Sequence, residues 1–102
     1  MIWIRDLINE MTPTFSKAMK SLEVDDSVWL PLIGRATVED HGDIALPCHS
    51  LASRLRKSPQ DIAEQICLLV EEDLSPIATV SSISGFVNIS AKPEWLSKSL
   101  LY

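Results

Sequence analysis

The chain has 102 residues, enough for one domain with one modest core. Hydrophobic residues make up 46 % and charged residues 23 %, which excludes a disordered tail, a collagen-like chain and a low-complexity linker. Nine Lys and Arg against fourteen Asp and Glu leave −5, which excludes nucleic-acid binding by bulk electrostatics, because phosphate contacts need a local excess of cations.

In chain order, Ile4, Leu7, Ile8 and Met11 recur at helical spacing, and Phe15, Ala18, Met19 and Leu22 continue the stripe. Thr12-Pro13 reads as the start of a second helical piece within this segment. Val28–Leu32 and Arg35–Val38 read as two short strand pieces broken by Pro31 and Gly34. A helix is expected from about Ile44 to Lys57, with Asp43 as its cap and Pro47 in its first turn. Ser58-Pro59-Gln60-Asp61 is the sharpest local signal, an N-cap followed by proline at the first helical position. Ile62, Ala63, Ile66, Leu69 and Val70 then give the buried stripe of that helix. Ile77–Ile83 and Phe86–Ser90 read as two strands joined by a tight turn at Ser84-Gly85. Pro93 and Glu94 open a last helix. This order predicts an α+β domain over residues 1–102, a two-layer sandwich with helices on one face of a small mixed or antiparallel sheet.

No stretch approaches the roughly 18 apolar residues of a membrane span. The start has no basic segment ahead of an apolar one, so no signal peptide is expected and the expected compartment is the cytoplasm. Cys48 and Cys67 form no CxxC pair and read as small core residues, and no metal site is expected. The three glycines fall in no phosphate-cradling motif, and no catalytic constellation is evident. His41 beside Asp43 could serve as acid and base, although a capping turn is the simpler account. The one dense basic cluster, Arg54, Arg56 and Lys57, is either a solvated helix end or a phosphate contact.

Gly85–Ser90 is chemically odd for a strand. Its period of two puts Val87 and Ile89 on one face and Phe86, Asn88 and Ser90 on the other. If helices cover the first face, Phe86 and Asn88 point at solvent. An aromatic ring offers a stacking surface to an unpaired base, and an amide offers a donor and an acceptor to a base edge. The bland alternative packs Phe86 under the C-terminal helix and leaves Asn88 facing water.

The motifs His41-Gly42-Asp43-Ile44-Ala45-Leu46-Pro47, Leu55-Arg56-Lys57-Ser58-Pro59, Ile62-Ala63 and Gly85-Phe86-Val87-Asn88-Ile89 occur in register. Together they resemble the amino-terminal additional domain of arginyl-tRNA synthetase over essentially the whole chain. That resemblance implies a domain that packs on the tRNA elbow and reads the D-loop, with Phe86 and Asn88 at the two base-contacting positions. Gly85 before them and the cluster Arg54, Arg56 and Lys57 complete the expected tRNA-binding set. A third polar contact found in some members is replaced here by Ile83 and Ser84. The class I signatures His-Ile-Gly-His and Lys-Met-Ser-Lys-Ser occur nowhere in the chain, so this domain is expected to be non-catalytic alone and to need no cofactor. The parent would be an arginine–tRNA ligase using ATP and Mg. The implied partners are arginine tRNA and the catalytic domain of the same enzyme, with neither DNA nor membrane. Two other readings stand beside this one. One is a free-standing protein-interaction module using the same face or an exposed Trp3, Trp29 or Trp95; the other is an independent small enzyme, for which no residue set speaks.

Overall fold

The computed structural model describes residues 2–37 and 42–100. Its elements are α1 (Ile2–Ser21), α2 (Asp26–Trp29), β1 (Gly34–Arg35), β2 (Ile44–Pro47), α3 (Ala52–Leu55), α4 (Pro59–Leu74), β3 (Ala78–Ile83), β4 (Phe86–Ala91) and α5 (Pro93–Leu100). The four strands form one antiparallel sheet in the order β1-β2-β4-β3. The expected α+β architecture is therefore present, with the sheet wholly antiparallel.

Helix α1 buries Leu7, Met11, Phe15, Ala18 and Met19 on one stripe, as the spacing predicts. It runs unbroken through Pro13, so the expected second piece at Thr12 does not exist. Pro13 lies on the exposed side, where water can satisfy the carbonyl that loses its helical partner. The Thr12 hydroxyl donates back along the helix to the Ile8 carbonyl at 2.7 Å instead of capping. The helix ends on Glu23 at φ 61, with the Val24 amide donating to the Met19 carbonyl at 2.9 Å and the Glu23 amide to Lys20 at 3.0 Å. This left-handed closure folds Val24 back onto the core.

The expected strand at Val28–Leu32 is instead the single turn α2 followed by a 3-10 turn at Leu30–Leu32. The Asp25 carboxylate decides it, accepting from the Ser27 amide at 3.0 Å and the Ser27 hydroxyl at 2.6 Å. Those two bonds hold the Asp25 carboxyl below the ordinary carboxylate range. Of the second expected strand, Gly34 and Arg35 form β1, while Val38 lies outside the described residues.

The expected helix from Ile44 to Lys57 is corrected more deeply. Residues 44–47 are strand β2 in the middle of the sheet, and only His49–Leu55 is helical. Asp43 does not cap a helix; its carboxylate accepts from the Ala91 amide at 2.9 Å and ties β2 to the end of β4. Ile44 and Leu46 face the helices, opposite Ile89 and Val87. Ala45 lies on the other side and is also buried. A strand covered on both faces loses the alternation that identifies it, so its four apolar residues read equally as a helical turn.

Helix α4 starts as predicted: Ser58 accepts from the Asp61 amide at 3.1 Å, and Pro59 occupies the first helical position. The β3–β4 turn is also as predicted, with Ser84 at φ 52 and Gly85 at φ 82. Two successive positive φ values match the right-handed twist of the paired strands. Helix α5 closes the core through Trp95, whose indole N–H donates to Glu10 of α1 at 2.7 Å.

Candidate functional site

The register of the sheet sorts the chemistry. Val87 and Ile89 point into the core and are fully buried. The opposite face carries two rows of side chains: Ala45, Asn88 and Ser81 in one, Pro47, Phe86 and Ile83 in the next. Gly34 extends the first row onto β1. Leu32, Gly34, Arg35, Thr37, Ala45, Pro47 and Phe86 line a cleft of about 180 Å³ beside these rows. Phe86 is half-buried there, and Ile83 beside it is exposed. The Phe86 ring meets the His49 ring edge-on, with centroids 5.3 Å apart at 64°. It belongs to this outer face, rather than lying under the C-terminal helix.

Asn88 departs from expectation. It does not stand in solvent but is only 3 % exposed. Its Nδ2 donates to the Phe86 carbonyl at 3.0 Å and, at 3.5 Å, to the Ser81 carbonyl. Its Oδ1 is buried and has no hydrogen-bond partner among the described residues. Two carbonyls fix which end of the amide is the donor. The side chain is thus held with one acceptor uncommitted, and a buried acceptor without a partner costs about 1–3 kcal/mol.

Gly85 sits in a socket. Its amide donates to Gln60 Oε1 at 2.7 Å, and its carbonyl accepts from the Cys48 amide at 2.9 Å. A Cβ there would lie 2.9 Å from Pro59 Cβ and 3.0 Å from His49 Nε2, so only glycine fits. Arg56 and Lys57 lie just before Ser58-Pro59, which places the basic cluster and the β3–β4 turn at the same end of the domain. Arg54, Arg56 and Lys57 are all exposed. Arg56 is itself left-handed at φ 54, and Lys57 Nζ donates to Gln65 at 2.9 Å. The structure therefore brings Gly85, Phe86 and the loop carrying Arg56 and Lys57 to one end, with Arg54 in the helix before that loop and Asn88 two residues further along the strand.

Arg35, Pro47, His49 and Gln60 around this site were not singled out from the sequence. Reading β2 as a helix hid Pro47 from the cleft, and Gln60 carried only its place in a capping motif. His41 lies outside the described residues, and Asp43 is committed to Ala91. Trp29 and Trp95 are buried, which removes them as surface anchors for a protein partner; Trp3 is half-buried against the core.

Among the described residues, no group of three or more His, Cys, Asp or Glu is placed to hold a metal, and no helix is long and apolar enough to cross a membrane. Cys48 and Cys67 are free and buried. Burial, and secondarily Cys67, pushes the Cys48 thiol up to about 12; burial, then Glu71 and Glu64, pushes Cys67 up to about 11. Both thiols are held neutral more strongly in the folded chain than in the unfolded one. Their stabilisation is complete below the ordinary value of 9.0 and is lost as pH rises toward 11 and 12. The expected result is a denaturation midpoint that falls from about pH 9 upward, with the fall reduced in Cys48→Ala. An equal fall in that variant would assign the alkaline loss to other groups.

A family model described as "Arginyl tRNA synthetase N terminal domain" matches residues 9–91. The arginine–tRNA ligase of Exiguobacterium sibiricum is 33 % identical over 70 residues, covering 69 % of this chain and 12 % of that protein. That of Treponema pallidum subsp. pallidum is 37 % identical over 62 residues (59 % of this chain, 10 % of its own length). That of Ignicoccus hospitalis is 27 % identical over 82 residues, 80 % of this chain and 13 % of its own. The solved structure of Thermus thermophilus arginyl-tRNA synthetase superposes with a TM-score of 0.73 at 24 % identity, over 92 % of this chain and 15 % of that one. That likeness speaks for the fold. The chain spans only 10 % to 13 % of the length of the curated relatives named.

Proposed function

The chain belongs to the arginyl-tRNA synthetase N-terminal domain family, and from that membership we propose that it binds the D-loop region of arginine tRNA. It does so in support of arginylation by a catalytic domain of the same enzyme, which uses ATP and Mg. The observation that carries this reading is the pairing on β4 of an aromatic ring in a cleft with a neighbouring amide whose acceptor is unspent. A base stacked at Phe86 gains about 1–3 kcal/mol. The Asn88 Oδ1 then accepts from a base N–H, while its own N–H groups stay on the strand carbonyls. Because Asn88 is only 3 % exposed, the base reaches it only by opening the surface above it.

Arg54, Arg56 and Lys57 supply phosphate contacts at the same end. With a net charge of −5, three cations give a weak electrostatic contribution, so base contacts must carry the selectivity. The test is titration of the native polypeptide carrying this chain with arginine tRNA, and with the same tRNA bearing substituted D-loop bases. Weaker binding of the substituted tRNA is the expected result. Equal affinity for both sinks the reading and favours a protein partner.

A further inference from the structure

The β3–β4 turn is anchored from outside the sheet, and Gln60 is the anchor. Gln60 is half-buried in the first turn of α4, 25 positions before Gly85. Its Oε1 takes the Gly85 amide at 2.7 Å, and its Nε2 donates to Ser82 Oγ at 3.2 Å and Glu64 Oε2 at 3.1 Å. Only the oxygen of the amide can face an N–H, which fixes the orientation of the side chain. One residue thus bridges the last core-facing position of β3 and the turn itself.

The other side of the turn is held equally firmly. The Gly85 carbonyl takes the Cys48 amide, and His49, the next residue, lies edge-on to the Phe86 ring. The turn is therefore set between two walls, residues 48–49 and residues 59–60, with no room even for a methyl group. Phe86 is the first residue after it, so its ring direction follows from how the turn is seated. Asn88 follows two residues later, its amide bonded to the Phe86 carbonyl.

We infer that Gln60 is a positioning residue for base recognition: it seats the β3–β4 turn so that Phe86 and Asn88 present together to one nucleotide. This role rests on the D-loop reading proposed above. Gln60 touches no RNA; it acts through Gly85. Removing it leaves the buried Gly85 amide without a partner and frees the turn to shift.

The experiment measures discrimination, the ratio of dissociation constants for D-loop-substituted and unaltered arginine tRNA, in the native polypeptide carrying this chain. Gln60→Ala is expected to lower that ratio about fivefold, the equivalent of one hydrogen bond, with faster hydrogen exchange at the Gly85 amide and an unchanged circular dichroism spectrum. Gln60→Glu combined with Glu64→Gln keeps an acceptor for the Gly85 amide and a donor–acceptor pair between positions 60 and 64 at unchanged net charge, and is expected to keep the ratio. Gln60→Met, similar in length but without the acceptor, repeats the test should the alanine variant lose its fold. Wild-type discrimination that survives in both Ala and Met variants overturns the proposal. Equal weakening of both tRNAs, with the ratio intact, also overturns it and leaves Gln60 a stability residue. A wild-type ratio near one overturns the D-loop reading itself, and this role with it.

Discussion

Phe86→Ala is expected to weaken binding of arginine tRNA by about 5- to 150-fold, the equivalent of the roughly 1–3 kcal/mol that base stacking carries. The loss should fall on discrimination as well as on affinity. Phe86 lines the cleft, and the Asn88 amide is bonded to its carbonyl, so the ring and the amide are fixed together on one strand. Phe86→Leu keeps apolar bulk against His49 but removes the ring face, and is expected to recover stability and not affinity. Measured by titration alongside thermal unfolding, this separates recognition from folding. Normal tRNA affinity in a folded Phe86→Ala protein would remove Phe86 from the site.

Trp29→Ala is the stability counterpart. Truncating a buried aromatic typically costs about 3–5 kcal/mol, against a total near 5–15 kcal/mol for a domain of this size. Trp29 is fully buried, lies 5.8 Å from Phe15 by ring centroids and donates its indole N–H to Asp26 at 2.9 Å. Its helix α2 has four residues and cannot stand alone; it stays because Trp29 fills the core and Asp26 accepts from Ser16 of α1 at 2.7 Å. The melting temperature is expected to fall by at least roughly 12 °C, at 4–8 °C per kcal/mol for small domains. Trp29→Phe should lose less. A fall of only a few degrees in the alanine variant would mean that the core closes over the space.

What could be read from residues alone was what short-range chemistry decides. The cap at Ser58, the turn at Ser84-Gly85 and the stripe of α1 each depend on neighbours within a few positions, and each stands where expected. Strand β2 does not have that character. Ile44–Pro47 is a strand because Phe86–Ile89 pairs with it, 39 to 45 positions later. The candidate site divides the same way. Phe86 and Asn88 could be placed on one face by period alone. The burial of Asn88, the His49 ring and the Gln60 bond could not, because each comes from an element distant in sequence. The Asp25-Asp26-Ser27 cap is a local signal that the strand reading of Val28–Leu32 left out.

The order β1-β2-β4-β3 has a consequence for assembly. β4 is the last strand in the sequence, yet it lies between β2 and β3. During synthesis, β2 is made early and has no central partner until Phe86–Ala91 emerges. β3 can form its hairpin only at that same moment. The strand that carries Phe86 and Asn88 is therefore the keystone that closes the sheet, inserted last between two strands already made. A chain interrupted before residue 86 lacks both the strand that carries the proposed RNA contacts and the means to assemble its sheet.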